Sequence, residues 1–237
     1  MKNILIFGCN GKLGQVIAEH LSKEYNVIGV DVSKSSKHCS HYFNYSNLSD
    51  LELVYNYTDY YAVLHCQQVK SKSFMEASLH NISEEEYLRV INANLHLSFF
   101  STQKYIQKIS SSSSKPKGRI INFTSTYSIR SSSPSLYTGT EMGNPIHYTI
   151  SKGGLYSLTK YVASYYADYS VLCNSISPHG IENDQSSKFK DNFSLRSPIG
   201  RLSEPKELLP AVRFLLDPEN TYTNGADIAV DGGWTAC

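Results

Sequence analysis

The chain has 237 residues and a formal net charge of +1, from 22 Lys+Arg against 21 Asp+Glu. That length suits one sizeable α/β domain and is short for two, and the balanced charge offers nucleic acid no basic face. No apolar run approaches the roughly 20 residues of a membrane helix, so a membrane partner is not expected either.

Taken in chain order, the first element is the run Ile4-Leu5-Ile6-Phe7, too short for a signal peptide and read as a buried strand within residues 3–7. Further strands are predicted at 26–32, 41–45, 60–65, 119–124, 170–176 and 226–230, several of them near-continuous apolar runs that need cover on both faces. Between them, Leu13, Val16, Ile17 and Leu21 form a helical stripe, and a short helix fits 47–57. A long helix from 84 to 109 opens with the capping box Ser83-x-x-Glu86 and carries Leu88, Ile91, Leu95, Phe99, Thr102 and Ile106 on one face. Helices also fit 147–167 and 203–216, the latter with Pro205 in its first turn. The Ser-rich stretch 110–118 reads as a solvated loop inside the alternation, so it marks no domain boundary. Strand–helix alternation of this kind predicts one doubly wound (Rossmann-type) α/β domain over 1–237, with about seven parallel strands and helices on both faces. Five scattered cysteines, Cys9, Cys39, Cys66, Cys173 and Cys237, without a CxxC pair, argue against a disulfide framework or a metal site. Reduced thiols in a cytoplasmic protein are the expectation.

The first strand runs into Gly8-Cys9-Asn10-Gly11-Lys12-Leu13-Gly14 and then a helix. Glycines there let the backbone turn sharply and approach a pyrophosphate, whose charge meets the helix N-terminus. Asp31 follows 23 residues after Gly8, at the end of the second strand. Its carboxylate can accept from adenosine ribose hydroxyls and would repel a 2′-phosphate, which favours NAD(H) over NADP(H). Lys34 and Lys37 stand close behind, so NADP(H) is not excluded.

Tyr148-Thr149-Ile150-Ser151-Lys152 places a phenol and an ammonium one helical turn apart. An ammonium nearby favours the phenolate, so the pair suits proton transfer. Ser125 ends the strand at 119–124, at the sheet edge where ligands of doubly wound folds bind.

With Gly118-Arg119-Ile120-Ile121-Asn122-Phe123-Thr124-Ser125, the YxxxK helix followed by Gly153-Gly154, Asn174-Ser175-Ile176-Ser177-Pro178-His179-Gly180-Ile181 and Val230-Asp231-Gly232-Gly233-Trp234, the chain resembles the short-chain dehydrogenase/reductase family along its whole length. The resemblance implies that Tyr148 is the proton donor in reduction and that Ser125 orients the substrate oxygen. It implies that Lys152 lowers the Tyr148 pKa and holds the nicotinamide ribose, and that Asn94 supports a proton relay, with Asn92 as its competitor. Pro178 and Ile181 would close over the nicotinamide, the Ile181 backbone facing its carboxamide. The same resemblance implies a homodimer or homotetramer built on helices 84–109 and 148–167, with Leu97 and Phe100 buried by the partner.

The sequence also departs from the family. Lys12 stands where glycine is usual, and Asn44 where an aspartate often meets adenine. His65-Cys66-Gln67-Gln68 replaces an Asn-Asn-Ala-Gly-like tetrapeptide that passes close to the adenosine ribose, so bulky side chains are expected to crowd the cofactor. His179, after Pro178, is expected to face solvent. Two loops, 126–147 and 182–200, are expected to shape the substrate opening, the first carrying Tyr137, Thr138, Glu141, Asn144 and His147. Their polarity favours a polar small-molecule substrate such as a sugar derivative, and the loop pattern resembles a branch associated with bacterial surface-sugar biosynthesis. Two other readings stay open: a reductase of 3-oxoacyl thioesters, and a catalytically weak dinucleotide sensor.

Overall fold

A computed structural model describes residues 1–69, 79–111, 118–143 and 146–236; most of the expected Ser-rich loop, Asn144 and Cys237 lie outside the described residues. Strand β1 (Asn3–Phe7) alternates its apolar side chains between two cores, which is why an unbroken apolar run is needed there. Leu5 and Phe7 join one cluster, Ile4 and Ile6 the other. The remaining strands are β2 (Asn26–Asp31), β3 (His41–Asn44), β4 (Ala62–His65), β5 (Gly118–Phe123), β6 (Val171–Pro178) and β7 (Asp227–Val230). All pair in parallel, in the order β3-β2-β1-β4-β5-β6-β7. The order reverses between β1 and β4, so the crevice at their C-terminal ends is the ligand position that this topology offers.

Helices α1 (Lys12–Leu21) and α7 (Leu209–Leu216) cover one face, burying Ile17, Leu21, Val212 and Leu216 against Ile6, Leu64 and Ile121. On the other face lie α2 (Asp50–Tyr57), α4 (Leu97–Ser110) and α5 (Ile146–Tyr165), with Val54, Tyr105, Ile109 and Val162 against Leu5, Val63 and Ile120. A short helix, α6 (Ser187–Ser194), lies in the predicted second loop. Arg119 is the largest fully buried side chain on β5. Its guanidinium donates to the carbonyls of Leu215, Asp217 and Asn220 at 2.8 to 3.1 Å, where the C-terminal end of α7 favours a cation.

The predicted long helix is present but is not one α-helix. Ser83 caps α3 (Glu84–Ile91) by accepting from the Glu86 N–H at 3.2 Å, while the Glu86 carboxylate accepts from Arg89. A π-helical turn, Asn92–His96, then joins α3 to α4. Its wider turn shifts the helical phase of everything after it. The expected stripe still shares one face, along which Phe99 is 45% exposed, but Leu97 and Phe100, expected under a partner, belong to the core: Leu97 is buried and Phe100 packs against it.

Candidate active site

The β1–α1 turn depends on two of its glycines. Gly8 has φ +75°, and a Cβ there would stand 2.5 Å from the Gln67 Cα; a Cβ on Gly14 would overlap the Gly8 carbonyl oxygen. Backbone therefore packs on backbone, β1 turn against the end of β4. Gly11 precedes α1 without a side-chain cap, which leaves the first-turn N–H groups of Lys12, Leu13 and Gly14 facing out with the positive end of the helix. Asp31 Oδ2 accepts from the Asn10 N–H at 2.9 Å and Oδ1 from the Val32 N–H at 2.8 Å. The Lys12 side chain leaves the turn and pairs with Asp184 of the second loop at 3.0 Å, both groups being exposed. An uncapped helix start, two obligatory glycines and a carboxylate at the next strand end fit the pyrophosphate and ribose of a dinucleotide.

Of the four residues expected to add bulk at the end of β4, His65 is folded into the core and Gln68 is exposed. His65 is 1% exposed, its Nδ1 2.7 Å from Asn122 Oδ1 and its Nε2 2.8 Å from Ser101 Oγ. Asn122 Nδ2 donates to Thr159, so its oxygen faces the ring and accepts from Nδ1–H. Burial pushes the His65 pKa down to about 4, so the ring is neutral at pH 7. Gln67 turns its amide under the π-turn, Nε2 donating to Ser98 Oγ at 2.6 Å, while its Oε1 is buried without a partner among the described residues. Of the bulky segment, the histidine belongs to the core, and at Gln67 backbone meets Gly8.

Ser125 follows β5 in extended conformation, nearly buried, and caps a short 3-10 turn, Thr126–Ser128, by accepting from the Tyr127 N–H at 3.2 Å. Its hydroxyl also hydrogen-bonds the Tyr148 phenol, projected from the start of α5. Lys152 lies one turn further on, 3% exposed, with Nζ donating to the Phe123 carbonyl at 2.6 Å and 5.8 Å from the centre of the Tyr148 ring. Burial pushes the Tyr148 phenol up to about 12 against the pull of Ser125, and pushes the Lys152 ammonium down to about 8. The expected help from lysine to phenolate does not outweigh burial, because the ammonium is held at the Phe123 carbonyl. Asn94 sits in the π-turn, buried, accepting from the Val69 N–H at 3.1 Å and donating to Ser151 Oγ at 3.2 Å, whereas its rival Asn92 is exposed. Ser125, Tyr148, Lys152 and Asn94 converge beside the ends of β4 and β5. Pro178 ends β6 there. Ile181 pairs with Ser203 in an isolated bridge and accepts from Gln185 through its carbonyl, so its N–H makes none of these bonds.

The loops contribute Tyr137, which the sequence singled out, and Tyr127 and Asn192, which it did not. Tyr127 and Tyr137 hydrogen-bond through their hydroxyls at 2.8 Å, with Tyr148 next to them. Asn192 donates to the carbonyls of Leu136 and Thr138, fastening the second loop to the first. Beneath that contact Leu136, Phe189, Phe193 and Leu202 form a small core, so the loops are less polar inside than their composition suggests. The i, i+4 spacing of Phe189 and Phe193 was the available signal. His179, expected in solvent, is 6% exposed: its Nδ1 meets Thr126 Oγ1 at 2.6 Å and its ring lies 4.2 Å from Trp234 and 5.3 Å from Phe193. The aromatic neighbours supplied by distant segments explain that correction, and burial lowers its pKa to about 4. Among the described residues no group of His, Cys, Asp and Glu could hold a metal ion, and no helix is long and apolar enough to cross a membrane.

A family model described as enoyl-(acyl carrier protein) reductase matches residues 15–235. The 3-oxoacyl-(acyl-carrier-protein) reductase FabG of Aquifex aeolicus is 29% identical over 97% of this chain and 86% of its own length. The (3R)-3-hydroxyacyl-CoA dehydrogenase of Mus musculus is 30% identical over 72% of this chain and 61% of its own. Among solved structures, a short chain dehydrogenase from Leptospira borgpetersenii with bound NAD+ superposes with a TM-score of 0.88 at 27% identity, covering 99% of this chain and 92% of that one.

Proposed function

The chain belongs to the short-chain dehydrogenase/reductase family and is an oxidoreductase, and from that premise we propose that it interconverts a carbonyl and a secondary alcohol on a polar small molecule with NAD(H). The observation that carries this reading is the meeting of the Ser125 and Tyr148 hydroxyls beside buried Lys152 and Asn94, at the strand ends next to the glycine turn. The dinucleotide, when bound, supplies or takes up the hydride. The N–H groups of Lys12, Leu13 and Gly14, beside Gly8 and Gly11, would hold its pyrophosphate, and Asp31 would accept from its ribose hydroxyls. Lys152 would hold the nicotinamide ribose, and Pro178 with the Ile181 N–H would face the carboxamide. Asp31 disfavours a 2′-phosphate, hence NAD(H), with NADP(H) the second choice.

In reduction Ser125 donates a hydrogen bond to the carbonyl oxygen and Tyr148 passes it the phenolic proton; in oxidation Tyr148 takes that proton back. A phenol held near 12 is a competent acid store but a reluctant base, so oxidation requires added positive charge beside it. Lys152 is the residue of this chain placed to provide that charge. Asn94, through Ser151 and the Val69 N–H, fixes the π-turn behind the lysine for a proton relay.

For the substrate, the paired hydroxyls of Tyr127 and Tyr137 next to Tyr148 favour a polyhydroxylated carbonyl compound, such as a sugar derivative. A 3-oxoacyl thioester is the second reading, supported by the activity for which the bacterial relatives are named. Oxidation of NADH by keto-sugars and by 3-oxoacyl thioesters, followed through cofactor fluorescence, separates the two. Turnover of the first class alone supports the leading reading, thioester turnover alone replaces it, and turnover of neither class by a protein that binds NADH removes both.

A homodimer or homotetramer is part of the proposal. An open groove of about 970 Å³ between α4 and α5 is lined by Ile91, Leu95, Phe99, Leu158 and Tyr161, and most of its surface is apolar. A second copy laid on the same helices would cover it. Leu97 and Phe100 take no part, since they face the core. Light scattering is expected to give a dimer or tetramer mass, with Phe99→Glu shifting it towards the monomer.

A further inference from the structure

Two thiols that the chemistry above does not use lie side by side under the glycine turn. Cys9 follows Gly8 and is fully buried, while Cys39, in the connection from β2 to β3, is half-buried. Both side chains occupy the space over Gly29 of β2: a Cβ there would overlap the Cys39 sulfur and stand 2.6 Å from the Cys9 sulfur. One absent side chain is therefore what lets two sulfurs share a pocket. Within it the Cys9 S–H donates to Cys39, and the Ser36 hydroxyl donates to the same sulfur at 3.3 Å. Two donors on one sulfur favour its thiolate, and Cys39 comes down to about 7. Cys9 moves the opposite way, because it gives its proton to that bond and is cut off from water. The pair thus combines a nucleophile near the surface with a thiol held against it, and both are unbridged.

We propose that Cys39 and Cys9 form an oxidisable dithiol, which a hydroperoxide closes to an intramolecular disulfide between the β1–α1 turn and the β2–β3 connection. The Cys39 thiolate attacks one peroxide oxygen; the O–O bond breaks, hydroxide leaves and is protonated to water, and a sulfenic acid forms on Cys39. The Cys9 sulfur then attacks the Cys39 sulfur, the S–O bond breaks, and a second water leaves with the thiol proton. With hydrogen peroxide, two thiols lose two electrons in total and the oxidant becomes two waters. Asn10 already joins the same segments, donating to Ser33 Oγ at 2.6 Å and to the Ser35 carbonyl at 2.9 Å, so the bridge adds a covalent tie where the chain is held together by hydrogen bonds.

The test treats the reduced full chain with one equivalent of hydrogen peroxide, blocks remaining thiols with iodoacetamide, and reads intact mass and a non-reducing peptide map. The expected result is loss of two hydrogens, one peptide joining Cys9 to Cys39, and full reversal by dithiothreitol. Cys39→Ser should prevent both the mass loss and the bridge, and Cys9→Ser should leave a sulfenic acid on Cys39 that dimedone traps. Oxygen addition without a Cys9–Cys39 peptide in the folded wild-type chain, or a bridge to any other cysteine, would overturn the proposal. The decisive reading is on the wild-type protein, so it stands even where a serine at buried Cys9 impairs folding.

Discussion

The proton-transfer end and the dinucleotide end of this molecule are built on different principles. At the first, the proposed chemistry rests on side chains: Ser125, Tyr148 and Lys152 bring two hydroxyls and an ammonium together. At the second, it rests on backbone: Gly8 and Gly14 are required for shape, and Gln67 meets Gly8 through its main chain. Side chains at the end of β4 can therefore change, as His65-Cys66-Gln67-Gln68 shows, provided the new ones find partners elsewhere. His65 does so with Asn122 and Ser101, and Gln67 with Ser98.

The largest effect tests the side-chain end. Tyr148→Phe removes the proton donor, and turnover is expected to fall by about 100-fold to 10,000-fold, the usual worth of a positioned acid or base. The NADH dissociation constant should stay within about twofold. Equal losses in both would mean that Tyr148 holds the cofactor and that the comparison is drawn wrongly.

Next in size is an acid dependence placed in the core below the dinucleotide end. His65 is neutral in the folded protein with a pKa near 4, below the ordinary 6.5 of an unfolded histidine. A depressed histidine contributes fully above pH 6.5, and that stability is lost as pH falls towards 4. The loss is on the order of 3 kcal/mol by linkage. His179 acts in the same direction. Melting temperature should therefore decline between pH 6.5 and 4. His65→Leu should melt lower at pH 7.5, since Asn122 and Ser101 lose a partner, yet decline less steeply in acid. An unchanged acid slope would place the titration elsewhere.

A smaller effect sharpens the cofactor side. Asp31→Ser should weaken NADH by about tenfold, the worth of one charge-assisted hydrogen bond, while NADPH gains relative to NADH. Equal weakening of both would indicate that Asp31 serves only to hold the Asn10 N–H.

Much of the fold was legible because strands covered on both faces need near-continuous apolar runs, as residues 4–7 of β1 and 62–64 of β4 supply. The YxxxK spacing and Asp31 were legible because each is a local pattern with a chemical meaning. The π-turn at Asn92–His96 was not, since the apolar repeat runs through it on one face, from Ile91 and Leu95 to Phe99 and Ile106; Leu97 and Phe100, expected under a partner, face the core instead. His179 was misread for a related reason: Thr126, Phe193 and Trp234 bury it from three distant segments. The Cys9–Cys39 pair was invisible for the same cause, because it meets only over a glycine of β2.

The account stands most directly on nucleotide binding. Titration of the protein with NADH and with NADPH, read by nicotinamide fluorescence, should give saturable one-site binding to each subunit, tighter for NADH. Failure of both nucleotides to bind the folded protein would contradict it.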